Sequence, residues 1–254
     1  MKRICLAHPC YGPLDPEVNK ALRVAMMSAA GVAEWVGDVS TIREGWVGAR
    51  NRAAKAALED APDCDGIVWV DDDVLLPPTA IKRMLSYDKD FVTGIVFQKF
   101  ENVNPLVARW AGKGFSWWLE FPENVLAPAD GCGFGCCYTS TKMLRAIQQL
   151  PSKREQGQAY FKPDGWFNQF AANHFGRQAG DEEQAMSEDF SFCMRAKAAG
   201  FQLYADTGLL CSHMIGPKYA TQATHRKQRE RVKAQQAEEK AQQQATVDAL
   251  EGVA

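Results

Sequence analysis

Residues 67–78 read IVWVDDDVLLPP. The first four are β-branched or aromatic, the composition of a strand buried on both faces. The run stops at three aspartates and resumes as VLL before two prolines. Carboxylates crowded at the end of a buried strand repel one another, and desolvating them adds to the cost. Either something positive sits there or the turn is fully hydrated. In an open α/β sheet, the carboxyl end of a parallel strand is where ligands bind. Alternate residues of an extended segment share one side, so Asp71 and Asp73 are expected to converge and Asp72 to point away. Two converging carboxylates suit a hard divalent cation. A solvated acidic turn is the plainer reading.

The flanking sequence alternates strand and helix. A short apolar run at 3–7 ends at His8-Pro9-Cys10-Tyr11-Gly12. Asp15-Pro16 opens a helical pattern through Ala30, with Asp as N-cap and Pro at the first helical position. Residues 33–39 read as a strand, 47–58 (VGARNRAAKAAL) as an Ala-rich helix, 77–85 as a helix and 91–97 as a strand. This order predicts an α/β fold with a mostly parallel, Rossmann-like sheet. Residues 106–110 and 115–121 are short aromatic strands, fit for a small antiparallel extension. A Gly-rich GCGFGCC at 131–137 precedes a helical stretch at 142–150, and 151–181 is polar and irregular. Ser187 to Ala199 forms a helix stopped by Gly200, and 202–206 a last strand. Beyond Gly216 the composition turns to Gln, Ala, Lys, Arg and Glu, which predicts a catalytic domain over 1–217 and a helical or disordered tail over 218–254.

Bulk composition narrows the class. The 254 residues are 46% hydrophobic and 24% charged, with a net charge of −2, so the chain is globular and no polycation. No window reaches about 18 uncharged apolar residues, so no membrane span is expected. Eight cysteines, without a CxxC pair, lie mostly in apolar runs. Buried free thiols in a reducing cytoplasm explain them better than a disulfide framework.

Several further stretches carry chemistry, each with a plainer reading. Ser187-Glu188-Asp189 is a capped helix start with acids favoured by the dipole, or a carboxylate base held beside a pocket. His213, after the last strand, is structural, or completes a cation site begun by the aspartates, particularly for Mn2+. The glycines of 131–137, Gly133 with Phe134 among them, permit a tight loop near a ligand or backbone. Trp117 and Trp118 are neighbours on a strand and face opposite ways, so one of them can meet a cleft; Trp166 sits in the polar stretch. An indole face there would suit a sugar ring or a base. HRKQRERVK at 225–233 is a solvated helix face or a phosphate contact.

The order of these pieces resembles a GT-A-fold glycosyltransferase of the family 2-like type, a class with small single-domain forms in bacteriophages. The pieces are AHPCYG at 7–12, GARN at 48–51, WVDDDV at 69–74, GCGFG at 131–135, SEDFSFCMRAKAAGF at 187–201 and DTGLLCSHMIG at 206–216. The resemblance implies a nucleotide-sugar donor, UDP-glucose or another UDP-hexose, and Mn2+ or Mg2+. It implies that Pro9 and Tyr11 border the nucleobase, that Arg50 lies near the nucleotide, and that Asp71 and Asp72 contact it. Asp73, Asp71 and His213 would hold the metal, and Lys218 would meet the diphosphate. Asp189 would be the base with Glu188 beside it, and Trp117, Trp118, Gly133, Phe134 and Trp166 would line the acceptor side. The acceptor would be a glycan or a hydroxymethylated pyrimidine in double-stranded phage DNA, and the location the bacterial host cytoplasm. A haloacid-dehalogenase-like phosphatase also places DxDx(T/V) after a buried strand, but Leu75 mismatches the fifth position. A non-catalytic sugar- or DNA-binding module is the third class.

Overall fold

The computed structural model describes residues 1–12, 14–99, 103–112, 114–150, 165–167, 187–215 and 218–251. Among these, a seven-stranded sheet dominates. Its strands, in spatial order, are β2 (Ala33–Ile42), β1 (Lys2–Cys10), β3 (Gly66–Val70), β10 (Cys136–Ser140), β5 (Phe91–Ile95), β11 (Leu203–Leu210) and β8 (Leu126–Ala129). All but β10 and β8 run in one direction: β1 pairs in parallel with β2 and β3, and β5 with β11. β3 is buried along its whole length, as its apolar run requires. Its side chains alternate between two cores. Ile67 and Trp69 join Phe91, Phe134 and Phe192 on one face, while Val68 and Val70 join Leu22, Ile81 and Met84 on the other.

Helices cover both faces, and their ends follow local chemistry. α1 (Pro16–Ser28) begins where the Asp15 carboxylate accepts from the Glu17 and Val18 N–H groups. α2 (Trp46–Glu59) and α3 (Ala80–Ser86) follow. α3 starts three residues later than the sequence pattern suggests. Pro77 precedes Pro78, which disfavours helical backbone at 77, and the helix begins only after the Ala80 N–H bonds the Pro77 carbonyl. α4 (Thr141–Gln148) is capped by Ser140, and α5 (Glu188–Ala198) by Ser187. Gly200, at φ +87°, ends α5 in the left-handed conformation that suits glycine.

Two small sheets complete the fold. β4 (Val74–Leu75), β12 (Ser212–Ile215) and β13 (Lys218–Ala220) form one, and β6 (Val107–Trp110), β7 (Phe115–Trp117) and β9 (Gly131–Cys132) the other. The expected boundary at 217/218 falls between β12 and β13, which pair with each other. The tail is helical as α6 (Gln222–Glu251). Its first turns are docked: His225 is 5% exposed, with its ring nitrogens against the carbonyls of Val103 (2.6 Å) and Leu119 (3.1 Å). Among the described residues no helix is long and apolar enough to cross a membrane. All eight cysteines are free, and seven are buried. The irregular stretch expected at 151–181 lies outside the described residues, except 165–167.

Candidate active site

The aspartate triplet ends β3, and it is a turn, not an extended segment. The Val74 N–H approaches the Asp71 carbonyl at 3.3 Å, closing four residues. That geometry replaces the extended backbone on which the convergence of Asp71 and Asp73 was expected. Each carboxylate finds its own donor. Asp72 accepts from the Tyr11 N–H at 2.6 Å. Asp71 takes the Arg50 guanidinium on both oxygens, at 3.2 and 3.3 Å. Asp73 accepts from Lys99 on Oδ2 and lies 3.1 Å from His213 Nε2 through Oδ1. Burial pushes the Asp73 carboxyl up, but His213 and Lys99 pull it further down, to about 2.

Pairing of β12 with β4 brings His213 to Asp73: His213 stands opposite Val74, and the Met214 N–H donates to the Asp73 carbonyl at 2.8 Å. His213 Nδ1 is 2.6 Å from the Phe97 carbonyl. A carbonyl only accepts, so Nδ1 carries the proton there and Nε2 is left to face Asp73. Among the described residues, no three His, Cys, Asp or Glu side chains converge closely enough to hold a metal. Of the three ligands expected from sequence, Asp73 and His213 meet each other, and Asp71 meets Arg50.

Arg50 is the hub. It lies on the buried face of α2, 3% exposed, with its guanidinium 5.4 Å from the Phe134 ring and 5.9 Å from that of Phe167. Its Nε faces Asp189 Oδ1 at 3.1 Å and Glu188 Oε1 at 3.8 Å. Burial disfavours the charge on Arg50, but Asp189, Asp71 and Glu188 overcome it and hold the guanidinium firmly protonated. The Asp189 contact is one of charge without hydrogen-bond alignment, and among the described residues Oδ1 takes no hydrogen bond. Oδ2 accepts the Phe134 N–H at 3.1 Å. Burial, followed by Glu188 and Asp71, raises the Asp189 carboxyl to about 7 against the downward pull of Arg50 and that N–H. Ser187 caps α5, as the plainer reading of Ser187-Glu188-Asp189 has it, and the acids behind it point at Arg50.

The structure separates the residues expected to line the acceptor. Trp117 packs edge-on with Phe190, ring centroids 5.6 Å apart, and Trp118 faces the other way, under the Arg109 guanidinium at 4.1 Å. The rings of Phe134 and Trp166 are core residues, 0% and 7% exposed, and Trp166 Nε1 donates to the Leu144 carbonyl. That corrects their expected place as acceptor-facing rings: burial leaves them no open face. Phe134 instead offers its N–H to Asp189, and a Cβ at Gly133 would stand 3.7 Å from Asp189 Oδ2. Pro9 is buried in β1, and Tyr11 is exposed at that strand's end. The side chain of Lys218 lies outside the described residues. Two groups escaped the sequence reading. Lys99 has no local motif to mark it. His8 was legible only as part of HPCYG; its Nδ1 bonds the Val70 carbonyl at 2.7 Å, and its buried Nε2 has no hydrogen-bond partner among the described residues.

A family model described as glycosyl transferase family 2 matches residues 39–147, from β2 through most of α4, the segment that carries Arg50 and the aspartate turn. Over that segment the chain is similar to family 2 glycosyltransferases. Its α5 and β12, with Asp189 and His213, lie beyond the matched residues. The crystal structure of A197 from STIV is 18% identical, with 85% of this chain and 86% of that one covered and a TM-score of 0.49. The crystal structure of GalNAc-T7 with UDP, GalNAc and Mn2+ is 10% identical, with a TM-score of 0.50. This chain aligns over 84% of its own length and 43% of that chain, a likeness of fold. No curated protein matches it in sequence. With its largely one-directional sheet and small antiparallel sheets, the chain has the GT-A fold.

Proposed function

We propose that the transferase moves a hexose from a UDP-sugar to an acceptor hydroxyl, with inversion at the anomeric carbon and with Asp189 as base. The observation that carries the reading is the Arg50 hub. One buried cation ties Asp71, at the nucleotide end of the sheet, to Asp189, whose Oδ1 is left without a hydrogen bond. In the step, the acceptor oxygen bonds to the anomeric carbon as that carbon's bond to the diphosphate oxygen breaks. The electron pair leaves on the nucleoside diphosphate, and the hydroxyl proton passes to Asp189. Burial and the neighbouring Glu188 both raise the Asp189 carboxyl, which favours its taking that proton.

Asp73 and His213 suit a divalent cation of the Mn2+ kind. An imidazole Nε2 and a carboxylate oxygen 3.1 Å apart are both acceptors once Nδ1 is protonated, and they call for a cation or a proton between them. When bound, such an ion supplies positive charge against the diphosphate. Lys99, on the same carboxylate, adds a cation from the protein. We assign Pro9, Tyr11 and Asp72 to the nucleoside and Lys218 to the diphosphate.

The test is a donor screen: UDP-, GDP- and dTDP-hexoses with Mn2+, against glycan and hydroxymethyl-DNA acceptors, read by mass. Transfer of hexose from a UDP-sugar is expected, and the product anomer read by NMR should be inverted. Absence of transfer from every UDP-sugar overturns the donor assignment.

A further inference from the structure

Beside the base lies an aromatic cluster that the transfer step does not use. Phe115 and Trp117 are two residues apart on β7 and share one face of the small sheet. Trp110 stands directly opposite Phe115 on β6, and Ala108 opposite Trp117. Phe190, the residue after Asp189, packs edge-on against Phe115 (4.7 Å) and Trp117 (5.6 Å), and Trp110 against Phe115 (5.3 Å). Trp110 and Trp117 each meet a single ring of the cluster, so each keeps a face that no other member covers. Trp110 is 42% exposed, and the other three are half-buried. A contiguous set of aromatic faces left at the surface next to a reacting carboxylate marks a binding surface.

Its distance from the base suits one ring. A Cβ at Gly131 would fall 2.7 Å from Phe190 and 2.9 Å from Phe115, while one at Gly133 would fall 3.7 Å from Asp189 Oδ2. Two residues of extended chain span roughly 6.5 Å, close to the width of a sugar ring. The bordering charges are already committed. Lys197 pairs with Asp130, which also accepts the Trp110 N–H, and Arg109 lies on Trp118 on the opposite face. A nucleic-acid backbone calls for unpaired cations. A neutral ring with apolar C–H faces and a rim of hydroxyls does not.

We infer that Phe115, Trp117 and Phe190, edged by Trp110, form an acceptor subsite that takes the pyranose ring of a neutral saccharide. The word acceptor rests on the proposed function; the binding of a saccharide does not. The experiment is therefore a binding measurement without donor. Saturation-transfer NMR is run on the full chain with methyl β-D-glucopyranoside, methyl β-D-galactopyranoside and cellobiose at millimolar concentration. At least one should saturate strongly, and Trp117→Ala should reduce its signal at least fivefold. Trp110→Ala, which removes a ring already at the surface, should reduce it as well and covers the case in which Trp117→Ala does not fold. No saccharide signal overturns the inference, as does a signal unchanged in both variants. Preferential binding of a hydroxymethylcytosine duplex, weakened by the same substitutions, overturns it in favour of DNA. Saccharide binding lost in the variants, with no hexose transfer by the parent protein, would sink the proposed function and leave the subsite standing.

Discussion

Arg50 Nε stands 3.1 Å from Asp189 Oδ1, with the arginine side chain 3% and the aspartate side chain 15% exposed. The same guanidinium holds both oxygens of Asp71. One cation thus serves three carboxylates, counting Glu188, and cannot neutralise them all. Burial, with this imbalance, is why Asp189 is raised to about 7 and not lowered by its arginine.

A base must be unprotonated, so kcat/KM should rise with pH through a midpoint near that value. Arg50→Gln removes the downward pull and should move the midpoint upward. A midpoint unchanged in the variant would contradict the hub. The stability effect has the opposite sign. The folded carboxyl lies above its unfolded value of about 4, so its contribution is full below that pH and is lost as pH rises towards about 7.

Asp73→Asn and His213→Ala should each weaken binding of UDP with Mn2+ at least tenfold by calorimetry. Binding of UDP without metal should change less, because Tyr11, Asp72 and Arg50 are untouched. Equal affinity for the metal complex in parent and variants would remove the pair from the cation site.

His225→Ala should destabilise the fold by about 2–4 kcal/mol in urea unfolding, because it removes the ring packed against the Val103 and Leu119 carbonyls, with the hydrogen bond its N–H donates there, and opens a cavity beside Phe97. A loss under about 0.5 kcal/mol, the size of an ordinary surface change, would show that the first turns of α6 are not docked as described.

Gly131→Ala should cost about 1–3 kcal/mol, since the new methyl meets the rings of Phe190 and Phe115 inside contact distance. An unchanged midpoint of thermal unfolding would mean that the rings give way freely.

Much of this was legible in the sequence because it is local. Alternating apolar patterns and caps such as Asp15 and Ser187 mark β1 through β3, α1, α2 and α5 to within a few residues. What was not legible depends on long-range pairing. β10 runs antiparallel between β3 and β5, yet its CCYTS follows three glycines and reads as the end of a loop. Asp71 and Asp73 looked convergent on an assumed extended backbone; the backbone turns at Asp71–Val74, and the two take different partners. Lys99 reaches Asp73 across 26 residues, with no periodicity to announce it. Phe134 and Trp166 are aromatic in a polar or Gly-rich context, which hides that both belong to the core. The order of motifs carried the family, while the partners of each carboxylate required the fold.

The most direct test of the account is single-turnover hexose transfer by Asp189→Asn, with UDP binding measured in parallel. The amide keeps the shape of the carboxylate but cannot accept the acceptor's proton in the same way. Transfer should fall by at least about a hundredfold while UDP affinity stays within about threefold of the parent. Turnover preserved in Asp189→Asn would contradict its assignment as the base.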